Sequence, residues 1–159
     1  MSEITLMIEP SDVIGLTTLN GNIDQDSIRP MIFMAQTTYL KSFLGLNLYT
    51  KIYDDFVADT LDGNYLTIFN EYVKDLLSYK TSELYVELGG YKIGENGIHK
   101  ITSENRETIN ESETAQLTLR FSKLVANVEA NFKEFVEPLQ LVELQSKEIT
   151  INTDFPWQL

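Results

Sequence analysis

The chain has 159 residues, 43% of them hydrophobic, which suits one ordinary domain with a real core. It contains no cysteine, which excludes a disulfide scaffold, a thiolate metal site and a cysteine nucleophile. Its 24 acids against 12 bases leave a net charge of −12; this repels a phosphate backbone and argues against ordinary nucleic-acid binding, and it suits equally a wall that DNA slides past or a surface charged only for solubility.

Residues 1–23 read as an N-terminal arm or lead-in. Ile4, Leu6 and Ile8 alternate as in a short extended segment, Glu9-Pro10-Ser11-Asp12 turns, and Val13-Ile14-Gly15-Leu16 fits one helical turn capped by Ser11. A first main helix is expected over 27–44, with Asp24 and Asp26 as capping acids and Pro30 in the first turn. Its apolar stripe is Ile28, Ile32, Ala35, Tyr39 and Phe43, and Gly45 reads as a left-handed stop. A second helix over 47–60 carries Leu48, Ile52 and Phe56 and breaks at Asp62-Gly63-Asn64.

The third helix, 64–88, is apolar on two sides: Tyr65, Phe69, Tyr72, Leu76, Tyr79 and Val86 on one, Leu66, Val73, Leu77, Leu84 and Leu88 on another. Such a helix is either central in a bundle or shared with another subunit. Gly89-Gly90 ends it, and 91–101 reads as a small β-hairpin turning at Asn96-Gly97, followed by a polar loop. Asn110 and Glu113 form a capping-box pattern opening a fourth helix, 111–137, with the stripe Leu117, Phe121, Leu124, Val128, Phe132 and Phe135. After Pro138, residues 139–159 lose helical spacing; Leu139, Leu141, Leu144, Ile149 and Ile151 suggest an extended tail that closes on Phe155-Pro156-Trp157. The fold class is therefore mainly α: a four-helix bundle-like domain over 24–138, a hairpin between its third and fourth helices, and extended arms at both ends.

Chemistry is hard to find in this pattern. His99 is the single histidine, too few for a multi-histidine metal site and without the spacing of a triad. Glycines 89, 90, 94 and 97 lack the Lys-Ser/Thr ending of a phosphate loop. Asp54, Asp55, Asp59 and Asp62 lack EF-hand spacing, and Glu104, Glu107, Glu111 and Glu113 read as a solvated stretch. No catalytic residue, cofactor or metal is expected. Met1-Ser2-Glu3 lacks the basic start of a signal peptide, and no apolar run approaches the ~18 residues of a membrane span. The reading is of a soluble protein made in the cytoplasm. The 8 tyrosines cluster towards the first three helices and suit interfaces with an apolar body and a polar tip. The tail suits strand addition or groove filling, with Phe155 and Trp157 as anchors, Ile149 and Ile151 beside them, and Asn96, Gly97 and Ile98 as a second candidate contact.

Between about Ile23 and Pro138 the chain resembles the head-to-tail connector (adaptor, or neck-ring) proteins of tailed bacteriophages, in particular the crAss-like, Bacteroidetes-infecting type. The motifs are an acidic cap with Ile28-Arg29-Pro30-Met31-Ile32-Phe33-Met34-Ala35-Gln36, then Leu44-Gly45-Leu46-Asn47-Leu48-Tyr49, then Asn96-Gly97-Ile98 after a long helix, and a last aromatic-rich helix. Each is ordinary helix grammar; the order and spacing carry the likeness. The resemblance implies a structural virion protein that forms a homo-oligomeric ring, typically of twelve subunits, under the portal protein. The ring would join head to tail and line the DNA exit channel, with portal and neighbouring neck or tail proteins as partners. The rival reading is a small acidic binding or regulatory protein of phage origin, monomeric or dimeric. On the connector reading, removing 139–159 should weaken ring or portal association without melting the bundle.

Overall fold

The computed structural model describes residues 4–17, 19, 23–89, 91–94, 97–100 and 110–145, the two short strands by their backbone alone. The chain is mainly helical. Helix α1 is Pro10–Leu16. Its start lies at Glu9-Pro10 rather than at Ser11, because Pro10 needs no N–H at the first helical position and the Glu9 N–H donates to the Asp12 carboxylate at 2.8 Å. Helix α2 runs through Gln25–Met34, a π-helical turn Ala35–Leu40 and Lys41–Leu44. The Asp24 carboxylate caps it, accepting from the Asp26 N–H at 3.1 Å. This start precedes the expected one, so Pro30 lies inside the helix rather than in its first turn.

Gly45 has φ 77° and ψ 156°, an extended glycine conformation rather than the left-handed stop the sequence suggested. It turns the chain directly into α3, Leu46–Val57. That helix ends at Ala58 and Asp59, whose own φ of 55° breaks it before the Asp62-Gly63-Asn64 group. Helix α4 comprises Gly63–Ile68, a π-helical turn Phe69–Val73 and Lys74–Leu88. Strands β1, Tyr91–Gly94, and β2, Gly97–Lys100, pair antiparallel with Ile93 opposite Ile98. Helix α5, Glu111–Val136, opens with the capping box: the Asn110 N–H donates to Glu113 at 2.8 Å, and the Glu113 N–H to the Asn110 side chain at 2.9 Å.

Helix α4 packs against α1, α2 and α5, so its two apolar sides are accounted for by burial in the centre of the bundle. Leu76 and Leu77 are fully buried, while Ser78, Thr81 and Ser82 are small enough to let neighbouring helices approach. An aromatic cluster locks three helices together. Phe132 of α5 lies 5.3 Å from Phe43 of α2 and 5.8 Å from Tyr72 of α4, ring centre to ring centre, and Tyr72 lies 5.3 Å from Phe135.

Two expected stripes, those of α2 and α5, shift by one residue over part of their length. In α2 the buried positions are Ile28, Ile32, Ala35, Gln36, Leu40 and Leu44, so the expected stripe holds as far as Ala35, and beyond it Tyr39 and Phe43 are half-buried. A spacing of four overruns a 3.6-residue turn, and the π turn, where the Lys41 N–H reaches the Gln36 carbonyl five residues back, absorbs the excess. The same i−5 bond joins Lys74 to Phe69 in α4, where Phe69, Val73, Leu76 and Leu77 are buried as expected, while Leu66 is exposed and Ile68 is buried. In α5, Val125 rather than Leu124 faces the core.

Both ends of the chain differ from simple arms. Met7, Ile8 and Val13 belong to the same core cluster as the bundle, and so does Leu141. Residues 139–145 are not extended: two 3₁₀ turns, Glu137–Leu139 and Val142–Leu144, fold them back, because Leu141 is drawn into the core and Tyr65 donates to the Glu143 carboxylate at 3.0 Å. A cut that spares the bundle must therefore fall after Gln145, not at 139.

Leu40→Ala should lower stability by about 2–5 kcal/mol, whereas Leu124→Ala, expected from the sequence to be the core residue, should cost far less. Urea unfolding monitored by circular dichroism measures both.

Candidate functional site

The π turn of α2 places Gln36 on the buried face, where the side-chain amide must find partners or destabilise the core. It finds them in the extended segment before α1. Gln36 Oε1 accepts from the Met7 N–H at 2.8 Å, and Gln36 Nε2 donates to the Thr5 carbonyl at 3.0 Å. The Thr5 N–H donates to the Tyr53 hydroxyl of α3 at 3.0 Å. One side-chain amide thus stands in for a neighbouring strand and holds residues 5 and 7 by their main chain. The two residues are held whatever their side chains are.

An extended chain sends the polar groups of alternate residues to opposite edges. With Thr5 and Met7 turned towards Gln36, the N–H and C=O of Leu6 face away, and no described residue bonds them. Beside the segment lies an open groove of about 610 Å³ between it and the first half of α2, lined by Ile4, Thr5, Leu6, Arg29, Pro30 and Phe33. Pro30 has no N–H to offer the Asp26 carbonyl one turn earlier, and Asp26 also borders the groove. Phe33 and Ile4 stay 43% and 42% exposed, a large apolar area for so small a protein. The Arg29 guanidinium sits 3.2 Å from the Glu9 carboxylate at the rim.

Elsewhere the polar groups do structural work. The Tyr39 hydroxyl donates to Glu129 of α5 at 2.7 Å, and its pKa is pushed up, first by burial and then by that carboxylate. Lys80 pairs with the buried Glu83 at 3.1 Å and lies over the Tyr39 ring. Tyr65 is raised in the same way, by burial and then by Glu143. Asp75 is pushed up by burial alone, on the side of α4 facing α1. Among the described residues no three His, Cys, Asp or Glu side chains come together as a metal site would need, and no helix is long and apolar enough to cross a membrane.

Of the residues singled out in the sequence, Ile149, Ile151, Phe155, Trp157 and Asn96 lie outside the described residues. Gly97 and Ile98 are placed by their backbone in β2, opposite Gly94 and Ile93. The clamp residue Gln36 escaped sequence reasoning as a functional position. Its signal was a glutamine at a core position in the series 28, 32, 36, 40, 44, visible only if four-residue spacing is admitted.

The sequence profile of a family of unknown function, DUF6712, matches residues 40–136. The chain belongs to that family. No curated protein and no solved structure matches it. The matched stretch takes in α3, α4, the paired strands and α5, while the clamp, the groove and the tail lie outside it.

Because burial raises the Asp75 pKa, the folded state holds that proton more tightly than the unfolded chain. Stability from this site is fullest below the unfolded carboxylate value of about 3.9 and declines as pH rises through the higher folded value. Asp75→Asn should therefore raise the melting temperature at pH 7 and give little gain at pH 3, as read by thermal unfolding at the two values.

Proposed function

We propose that this chain is a structural virion protein, the subunit of a head-to-tail connector ring that joins the portal to the tail and lines the DNA exit channel. The observation that carries the proposal is apolar surface left on the outside of a well-filled bundle. Leu46 of α3, Leu119 of α5 and Val142 are more than half exposed, and Ile4 and Phe33 flank an open groove. A monomer with a complete core gains nothing from such positions, whereas a ring subunit uses two different surfaces, one for each neighbour. The connector motifs of the α2–α3 junction fall on Gly45, whose positive φ makes a direct helix-to-helix turn that favours glycine. The net charge of −12 suits a channel wall that must not hold DNA.

In this reading the protein works by shape and surface rather than by chemistry. Its partners are further copies of itself, typically twelve to a ring, the portal protein and the adjoining neck or tail proteins. It resides in the virion neck after synthesis in the host cytoplasm.

Purified protein mixed with the portal complex of its virus should yield a particle heavier by about one copy per portal subunit, measured by native mass spectrometry or light scattering. A free monomer that ignores the portal would favour the small acidic binding protein instead.

A further inference from the structure

We propose that the groove between residues 4–8 and α2 is a receptor for an extended peptide, and that its occupant is the segment 149–157 of a second copy of this chain. The proposal deepens the assembly reading above by naming the contact through which one subunit holds the next. It concerns parts of the chain outside the stretch shared with the family.

Three features make the groove a peptide site. The first is a main-chain edge at Leu6 that no described residue bonds, since Gln36 and Tyr53 occupy the opposite edge at Thr5 and Met7. The second is the Asp26 carbonyl, deprived of its helical donor by Pro30 and bordering the same groove. The third is an apolar wall of Ile4, Pro30 and Phe33, with about 610 Å³ between wall and edge. An added strand needs this combination: main-chain partners for affinity and a wall for every second side chain. The clamp also makes the receptor rigid before anything binds, which lowers the ordering cost of docking.

The occupant is argued from the sequence that follows the last described residue, Gln145. At least 14 residues come after it, which extended would reach about 45 Å. Ile149 and Ile151 alternate as the wall requires, and Phe155-Pro156-Trp157 brings two large rings to the end of the segment. A donor segment and an acceptor groove at different places on one chain form a head-to-tail contact, the kind that repeats around a ring.

The test uses full-length chains only. Phe33→Asp spoils the groove at an exposed position, and Trp157→Asp spoils the segment; unfolding midpoints establish that both variants are folded. Sedimentation should show the parent protein self-associating with rising concentration, each variant alone weakened by about tenfold or more, and an equimolar mixture of the two regaining one intact contact. Because Trp157 is the single tryptophan, its emission should shift to the blue as the parent protein associates and stay red in Phe33→Asp. Self-association indifferent to Phe33→Asp would overturn the proposal. A blue-shifted emission in the monomer, independent of concentration and abolished by Phe33→Asp, would overturn it as well, because the segment would then occupy the groove of its own chain. Portal binding without self-association would leave the connector reading standing while this contact fell; self-association without portal binding would do the reverse.

Discussion

The arrangement turns on one buried amide. Gln36 is fully enclosed, so its oxygen and nitrogen must be satisfied inside the protein, and among the described residues they are satisfied by the main chain of residues 5 and 7, with the Tyr49 hydroxyl beside them. Removing the side chain would strand the Met7 N–H in the core at a cost of about 1–3 kcal/mol. Gln36 lies within the π turn, and beyond the turn Leu40 and Leu44 are buried in the bundle. The N-terminal segment, the register of α2 and the open edge at Leu6 all follow from that one constraint.

Around it the fold is an ordinary solution to helix packing. A central helix is apolar on more than one side, and α4 meets that condition with leucines where space allows and with Ser78, Thr81 and Ser82 where it does not. The long α5 buries the stripe Phe121, Val125, Phe132 and Val136 and packs most extensively against α4, with the Phe132 contacts and the Tyr39–Glu129 bond adding fixed points. The hydroxyls of Tyr39 and Tyr65 both reach carboxylates on later parts of the chain, which ties distant segments together at the edge of the core. The tyrosines therefore serve the fold at least as much as they serve any partner.

The net charge of −12 and the large apolar side chains on the outside, Leu46, Leu119 and Val142 among them, are the two features the proposed ring draws on. Negative charge repels a phosphate backbone, and exposed apolar positions suit surfaces of matching shape.

Much of this was legible in the residues. Local chemistry determined the helix starts at Asp24 and Asn110, the turn at Gly45 and the mainly helical class, because caps, glycines and apolar spacing act within a few residues of themselves. What those signals could not convey was register across a π turn: Tyr39 and Phe43 read as core, and Leu40 and Leu44 are the core, because the extra residue per turn is favoured by packing and leaves no local mark. Nor could they show that Leu141 folds inward while its alternation with Leu139 suggested an extended tail, since only the space beside α3 decides where it goes. The groove is the clearest case. Its two walls are far apart in the chain, and its open edge is open only because Gln36 closed the other one, a fact that belongs to the tertiary structure alone.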